Sequence, residues 1–289
     1  MNSVRAFTIL VAFATVTFLL LPVQWLAIRV GIPLRRALPH HYHRFVCALF
    51  GIRIQVRGKP ASGGVLMVAN HTSWLDIPIF SAVWPVSFVS KAEVNNWPFF
   101  GTLARMQRSV FVRRERSQTL ANRETIRERL AQGDALVIFP EGTSSDGNRV
   151  LPFRSALLSA AEVTLGQDGG KPVCVPVQPV SVAYTRVHGI PMGRENRPFF
   201  AWYGDMELVP HLWEALKTGP LDVVVEFHAV TALDIVRGRK NLAAHCEAAV
   251  RRGVLSALNG REANVESVTK GEDLPAGAAV SEAETEKAA

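Results

Sequence analysis

The apolar and polar residues alternate with periods that change several times along the chain. Residues 52–57 alternate between apolar and polar, as a half-exposed strand does. Continuous short apolar runs are typical of buried strands, and they occur at residues 65–69, 86–89, 110–112, 135–139, 173–177, 180–183 and 223–227. Longer segments with helical spacing lie at residues 117–132, 155–165 and 239–258. This alternation predicts an α/β domain with a mostly parallel sheet flanked by helices.

The N-terminal apolar segment carries no charge over residues 6–27. A helix rises about 1.5 Å per residue, so this segment is long enough to cross a hydrocarbon core of about 30 Å. We interpret residues 1–36 as a membrane-anchoring helix with its flank. A cleaved signal peptide is one alternative, but no small-x-small cleavage site follows the segment. A helix lying flat on the membrane is another, although the segment has no polar face.

The net charge of +7 is unevenly distributed over the 289 residues. Residues 261–289 contain three basic and seven acidic residues and almost no large apolar ones, which predicts a disordered acidic tail. Residues 37–260 then form the main domain. The basic body indicates an anionic partner, such as a phospholipid membrane or an acidic carrier. No recognition helix, zinc spacing or RNA-binding aromatic run is evident, so we expect no nucleic-acid partner.

Positive charge also predicts the orientation in the membrane. Arg5 precedes the apolar segment, and four arginines follow it: Arg29, Arg35, Arg36 and Arg44. The positive-inside rule therefore predicts an inner (cytoplasmic) membrane protein whose domain faces the cytoplasm. Three widely separated cysteines fit reduced thiols better than a disulfide framework.

A histidine and an aspartate follow the predicted strand at residues 65–69, in NHTSWLD (residues 70–76). On one continuous helix they would lie about 140° apart, so they can meet only if His71 lies in the turn before the helix. We expect Asp76 one turn into that helix, with Thr72 or Ser73 as the N-cap. Asp76 would then orient His71 as a general base at the carboxyl edge of the sheet, where open α/β sheets bind ligands. An ordinary helix start with a solvent-facing histidine is the alternative.

Two further segments carry polar groups at strand ends. FPEGTSSDG (residues 139–147) ends an apolar run with a proline, a carboxylate and a glycine, which predicts a turn at the same edge of the sheet. A plain surface turn would have a similar composition. Residues 105–114 end a strand in Arg113 and Arg114, and arginine binds phosphate or carboxylate with paired donors. A solvated strand end is the alternative there.

Together these segments resemble the membrane-associated glycerolipid acyltransferase family, which acylates glycerol-3-phosphate, lysophosphatidic acid and related lysolipids. NHTSWLD, FVRR, FPEGT and the apolar run with Pro176 match the family's four blocks in order and spacing, over residues 44–227. The resemblance implies a mixed sheet, His71 as the general base and Asp76 as its orienting partner. It also implies a set of acceptor-binding residues: Glu141, Gly142, Thr143 and Arg114. Ser144 and Arg113 depart from the family pattern, which often has Arg at the first position and an acidic residue at the second.

Residues 141–157 are similar to one branch of this family, the lyso-ornithine lipid O-acyltransferases, and residues 177–185 and 201–206 agree with it. The branch acylates the 3-hydroxyl of a fatty acid amide-linked to ornithine, and lysophosphatidic acid is the alternative acceptor. Either acceptor implies an acyl carrier protein or coenzyme A thioester as the donor, with no cofactor and no metal. The ornithine carboxylate would pair with Arg114 or Arg149, and its ammonium with Glu141.

Other chemistries find less support. The G-x-S-x-G motif of serine hydrolases is absent. Ser267 and Lys270 match S-x-x-K, but they lie in the acidic tail. Three histidines at residues 40–43 form a short tract that we assign to the membrane flank rather than to a metal. A membrane-anchored lipid-binding protein without catalysis is the alternative of another class, and intact His71, Asp76 and Glu141 argue against it.

Overall fold

The computed structural model describes residues 2–113, 119–168 and 171–260. Its α-helices are α1 (Asn2–Val30), α2 (Leu34–Phe50), α3 (Asp76–Val83), α4 (Phe100–Met106), α5 (Thr119–Ala131), α6 (Leu208–Thr218), α7 (Leu233–Val236) and α8 (Arg239–Leu258). Its strands are β1 (Ile52–Arg57), β2 (Val65–Ala69), β3 (Val86–Lys91), β4 (Val110–Val112), β5 (Ala135–Ile138), β6 (Thr164–Asp168), β7 (Lys171–Cys174), β8 (Val177–Val187), β9 (Ile190–Pro191) and β10 (Leu221–Phe227).

Eight strands form one mixed sheet in the order β1-β10-β8-β2-β5-β3-β4, with β9 paired to β8. The neighbours β8-β2, β2-β5, β5-β3 and β3-β4 are parallel, and so are β1 and β10, whereas β10 runs antiparallel to β8. The predicted mixed, mostly parallel sheet with flanking helices is therefore confirmed. Strands β6 and β7 form a separate hairpin.

Strand β2 lies between β8 and β5, and all five of its residues are buried. Successive side chains of a strand point to opposite faces. Val65 and Met67 accordingly belong to one hydrophobic core, and Leu66 and Val68 to the other. This is why the strand is a continuous apolar run. At the sheet edge, β1 alternates between apolar and polar residues, as predicted from its sequence.

Helix α1 is the one helix among the described residues that is long and apolar enough to cross a membrane. It packs against α2, α6 and α4. Near its start, Arg5 donates to the Leu216 carbonyl at 2.5 Å, and near its end the Gln24 amide donates to the Met106 carbonyl at 2.7 Å. Both ends of the helix therefore contact the body, and its other side exposes large apolar residues such as Phe18.

Two sequence predictions were wrong in detail. Residues 155–165 were expected to form one helix. Ser155–Glu162 instead form a 3₁₀-helix that is kinked at Leu158. The helix ends at Glu162 because the short apolar segment gives way to β-branched residues, and β6 follows at once. The run at residues 173–177 is divided between β7 and β8. Pro176 lies at the break, since it has no N–H for a ladder, and its carbonyl accepts a hydrogen bond from Leu66 N at 2.9 Å.

The predicted tail at 261–289 lies outside the described residues, and the boundaries at 36 and 260 stay predictions.

Candidate active site

Asp76 is fully buried at the carboxyl edge of the sheet, and four donors surround its carboxylate. The oxygen Oδ2 accepts from His71 Nδ1 at 2.8 Å and from the backbone N–H groups of Thr72 at 2.7 Å and Ser73 at 3.1 Å. The Tyr184 hydroxyl donates to Oδ1 at 2.6 Å. Both oxygens of the carboxylate therefore accept hydrogen bonds, which fixes the side chain in the turn.

The predicted geometry of this turn needs two corrections. Helix α3 begins at Asp76, so the aspartate is its first residue rather than one turn inside it, and the N-cap is Leu75 without a side-chain cap bond. The Asp76 side chain instead folds back over the turn. The N–H groups of Thr72 and Ser73 donate to Asp76, so they are not free to bind an oxyanion in this geometry.

The imidazole of His71 is oriented from two directions. Its ring stacks on Phe139 with centroids 4.2 Å apart and an interplanar angle of 15°. Because the Asp76 carboxylate can only accept, Nδ1 carries the hydrogen and Nε2 keeps its lone pair. The side chain is 20 % exposed, so a substrate can reach it. A fixed, partly exposed imidazole with a free lone pair is suited to act as a general base.

The FPEGT turn lies beside His71, as its position after a parallel strand predicts. Gly142 has a φ of 76°, a conformation that favours glycine, and its N–H donates to the Phe139 carbonyl at 3.1 Å. Further along the turn, Ser145 N donates to the His71 carbonyl at 2.8 Å. The two sequence motifs are therefore joined by a backbone hydrogen bond as well as by the stacked rings.

Glu141 is only 2 % exposed, and one of its oxygens accepts from Leu151 N at 3.2 Å. Its other oxygen is buried without a hydrogen-bond partner among the described residues. Burial raises the pKa of Glu141 to about 8, and hydrogen bonds to backbone N–H groups offset only part of that rise. Glu141 is therefore mostly protonated at neutral pH, and pairing with an ammonium would require it to ionise. Its assignment to acceptor binding stays a prediction.

The remaining predicted site residues are placed differently. Thr143 is exposed at the end of the FPEGT turn, and Arg149 is exposed on the segment that continues from it. Arg114 lies outside the described residues. The roles of these residues in acceptor binding are predictions that the geometry leaves open.

Three residues that shape the site were not identified from the sequence: Tyr184, Trp202 and, in its structural role, Asn70. The Asn70 side chain exchanges two hydrogen bonds of 2.9 Å with the Val182 backbone, which fixes the end of β2 to β8. Trp202 N donates to the Thr72 carbonyl at 2.9 Å. Tyr184 ends a predicted apolar strand, and its single polar atom was the only signal of its bond to Asp76. Burial and the charge of Asp76 raise the pKa of Tyr184 well above its ordinary value, so it remains a neutral donor.

An apolar cavity of about 240 Å³ opens next to this network. Its walls come from α1, α2, α4 and the start of α3, and include Trp74, Ile77 and Phe88. Phe88 packs on Phe139 with ring centroids 6.3 Å apart, and Phe139 stacks on His71, so these two rings lie between this part of the cavity wall and the imidazole.

The histidine tract belongs to α2 rather than to a metal site. His40 Nδ1 contacts the Ser81 carbonyl at 2.7 Å, and His43 Nδ1 contacts the Ser81 hydroxyl at 2.9 Å. Burial lowers the pKa of His43 to about 4, so it is neutral. Among the described residues, no cluster of three His, Cys, Asp or Glu side chains could hold a metal ion.

Comparison with known proteins places this geometry in a family. The family model described as Acyltransferase matches residues 53–183, which include both motifs. The lyso-ornithine lipid O-acyltransferase of Brucella abortus is 46 % identical over 263 residues, covering 90 % of this chain and 98 % of that protein. The chain belongs to the acyltransferase family. The lyso-ornithine lipid O-acyltransferase of Rhizobium meliloti is 43 % identical to this acyltransferase over 263 residues, which cover 90 % of this chain and 88 % of that protein.

A solved structure supports the fold of this acyltransferase. The crystal structure of the 1-acyl-sn-glycerophosphate acyltransferase from Thermotoga maritima aligns with a TM-score of 0.62 and 22 % identity, covering 91 % of this chain and 99 % of that one. The two proteins therefore share the mixed sheet with its flanking helices.

Proposed function

We propose that this acyltransferase moves a fatty acyl group from a thioester to the hydroxyl of lyso-ornithine lipid, giving ornithine lipid. The observation that carries the proposal is the His71–Asp76 pair, 2.8 Å apart, at the carboxyl edge of the sheet beside an apolar cavity. The acceptor is proposed because the relatives that are 46 % and 43 % identical are named for lyso-ornithine lipid.

The reaction needs one proton transfer. His71 Nε2 takes the proton of the acceptor hydroxyl while that oxygen attacks the thioester carbonyl carbon. The new C–O bond forms, the C–S bond breaks, and the proton passes from the imidazolium to the thiolate. Asp76 stabilises the imidazolium while it exists. Because a thioester is already activated, the step needs no covalent acyl-enzyme.

The donor is proposed to be acyl carrier protein or coenzyme A, both of which are acidic. The basic body of the chain, with a net charge of +7 including its acidic tail, favours such partners electrostatically. No cofactor is required by this chemistry, since the thioester supplies the energy of the new ester.

We place the protein at the inner membrane with its catalytic body on the cytoplasmic side. Between Arg5 and Gln24, about 28 Å of helix at about 1.5 Å per residue lies against the body. Held along its length in this way, α1 would insert its exposed apolar side into one leaflet, which favours the flat alternative over the membrane crossing expected from the sequence. The cavity between α1 and α2 would then open where acyl chains are abundant.

The proposal is tested by giving the purified protein a labelled acyl carrier thioester with either lyso-ornithine lipid or 1-acylglycerol-3-phosphate. We expect labelled ornithine lipid and stoichiometric thiol release with the first acceptor. Labelled phosphatidic acid alone would favour the alternative acceptor, which the name of the Thermotoga maritima protein suggests. Lysolipid binding without thiol release would identify a non-catalytic lipid-binding protein.

A further inference from the structure

Residues 192–202 cross over the catalytic loop and are fixed to both sequence motifs. Trp202 N donates to the Thr72 carbonyl at 2.9 Å, next to His71. The Trp202 carbonyl accepts the Ser144 hydroxyl, and the Arg194 carbonyl accepts the Asn148 amide at 3.0 Å. This crossing segment therefore brings side chains to the active site that neither motif contains.

Arg197 is the residue of this segment that lies over the loop. Its Nη1 donates to Asn148 Oδ1 at 3.2 Å. A methyl group at Gly147, where φ is 78°, would lie 3.7 Å from Arg197 Cβ and 3.2 Å from Thr72 Cγ2. Gly147 therefore lies between the side chains of Arg197 and Thr72, and Thr72 is the residue directly after His71.

The positive charge of Arg197 is not neutralised by its surroundings. Its Nε is buried without a hydrogen-bond partner, and among the described residues it forms no ion pair. The loop carboxylate Asp146 accepts the backbone and side-chain N–H groups of Asn148 instead. Burial and the neighbouring charge of Arg194 lower the pKa of Arg197. Buried polar groups without partners are rare in proteins, and an anionic ligand would satisfy this one.

The rest of the FPEGT turn offers no such cation. Position 144 is a serine, and its hydroxyl is already bonded to the Trp202 carbonyl. Arg149 is exposed to solvent further along the loop.

We infer that Arg197 binds the carboxylate of the amino-acid head group of the acceptor lipid. The inference rests on the proposed acceptor. In an N-(3-hydroxyacyl) amino acid, about six bonds separate the reacting hydroxyl from the carboxylate, a reach of about 7 Å at most, since three backbone bonds span about 3.5 Å. With the hydroxyl at His71 Nε2, the carboxylate lies within about 7 Å of that nitrogen. Thr72 adjoins His71 and contacts Gly147, which contacts Arg197, so we place the carboxylate on this side of the site, where the guanidinium offers paired donors.

The test compares two acceptors and matched variants. The acceptors are lyso-ornithine lipid and its decarboxylated analogue, an N-(3-hydroxyacyl) diamine that keeps the hydroxyl and the ammonium. The variants are Arg197→Gln, Arg197→Lys and the control Arg194→Gln, which removes a neighbouring exposed charge from the same segment. Acyl transfer is measured as kcat and KM for each acceptor, and the unfolding temperature is recorded for each variant.

We expect wild type to prefer the carboxylate-bearing acceptor by about 10- to 100-fold in kcat/KM, the usual effect of a hydrogen bond to a charged group. Arg197→Gln should lose that preference through a higher KM for lyso-ornithine lipid, and should handle the analogue like wild type. Arg197→Lys should restore part of the preference, and Arg194→Gln should retain it.

Equal losses with both acceptors would show that Arg197 only supports the loop, and an unchanged preference would exclude it from binding; either result overturns the inference. Failure of the proposed function looks different. In that case wild type itself would acylate neither the lyso-ornithine lipid nor its analogue, and the carboxylate role would fall with the acceptor.

Discussion

Two buried carboxylates lie at opposite edges of the sheet. Asp76 follows β2 at the carboxyl edge, and Asp134 precedes the neighbouring parallel strand β5 at the amino edge. Both are at most 5 % exposed. The difference lies in their partners, because one is surrounded by fixed cations and the other by neutral donors and a histidine.

Asp134 forms ion pairs with Arg36 at 2.8 Å, Arg108 at 2.6 Å and Arg129 at 2.5 Å. Burial alone would raise the pKa of Asp134, but hydrogen bonds and charges from Arg129 and Arg108 outweigh it and lower the pKa. These partners come from the start of α2, the turn after α4 and the end of α5. Asp134 therefore connects elements of the fold, and its charge is fully balanced there.

Asp76 has no fixed cation within hydrogen-bond distance among the residues that the structure describes. Its donors are two backbone N–H groups, the Tyr184 hydroxyl and His71. The charge of Asp76 is balanced fully only when His71 takes a proton. The two carboxylates therefore differ in their neutralising partners, which are permanent cations at Asp134 and a histidine that is charged only when protonated at Asp76.

Asp76→Asn should test this difference, with the largest loss of kcat among the three carboxyl variants. Without the charge, the imidazolium loses its counterion and the tautomer of His71 is no longer fixed. We expect kcat for acyl transfer to fall by about 10²- to 10⁴-fold, the usual contribution of acid–base catalysis, with a small change in unfolding temperature. Thiol release measures the rate. A variant with near wild-type kcat would make Asp76 a structural residue like Asp134.

Asp134→Asn should show the reverse pattern. Removing one partner of a buried ion network leaves guanidiniums unpaired, at a cost of about 3–5 kcal/mol in the free energy of unfolding. Chemical denaturation measures that loss, and kcat per folded molecule should be unchanged. Loss of kcat without loss of stability would contradict the comparison.

Glu141→Gln tests a third buried carboxyl, whose pKa of about 8 makes it protonated in the folded protein at pH 7. Between the ordinary pKa of a glutamate and pH 8, the folded protein keeps this proton whereas the unfolded chain releases it. The free energy of unfolding is therefore greatest in acid and falls as the pH rises towards 8. The loss has an upper limit of about 4–5 kcal/mol, at about 1.4 kcal/mol per pH unit. Unfolding temperatures from pH 5 to 9 should fall less steeply for Glu141→Gln. Parallel pH profiles for the two proteins would show that Glu141 titrates normally.

Tyr184→Phe should have the smallest effect. It removes the donor to Asp76 Oδ1 and leaves His71 in place, which should cost about 1–3 kcal/mol in the free energy of unfolding. The loss in kcat should be much smaller than for Asp76→Asn. An equal loss in the two variants would mean that Tyr184 takes part in the proton transfer.

Much of the fold could be predicted from the sequence where one feature dominates. The continuous apolar run of β2 predicted a strand buried on both faces, and α8 was predicted at its observed bounds, Arg239–Leu258. The 3₁₀-helix at Ser155–Glu162 was not, because its apolar composition does not distinguish the two helix types. The meeting of His71 with Asp76 was predicted from five-residue spacing, although the start of α3 was not.

The parts of the site that depend on long-range packing could not be predicted. Tyr184 lies 108 residues from Asp76 in the chain. Trp202 lies in a stretch that resembles the family branch but to which no role was assigned, and Arg197 reaches the loop from residues that match no motif. Their side chains are ordinary for their local sequence. Only the pairing of β8 with β2 and the crossing of residues 192–202 bring them to the catalytic turn.

The most direct measurement is the rate of acyl transfer by His71→Ala, with thioester and lysolipid both saturating and folding verified by the unfolding temperature. The imidazole is the proposed base, so we predict a fall in kcat of about 10²- to 10⁴-fold, at least as large as that of Asp76→Asn, in a protein that remains folded. Near-normal transfer by folded His71→Ala would contradict the account.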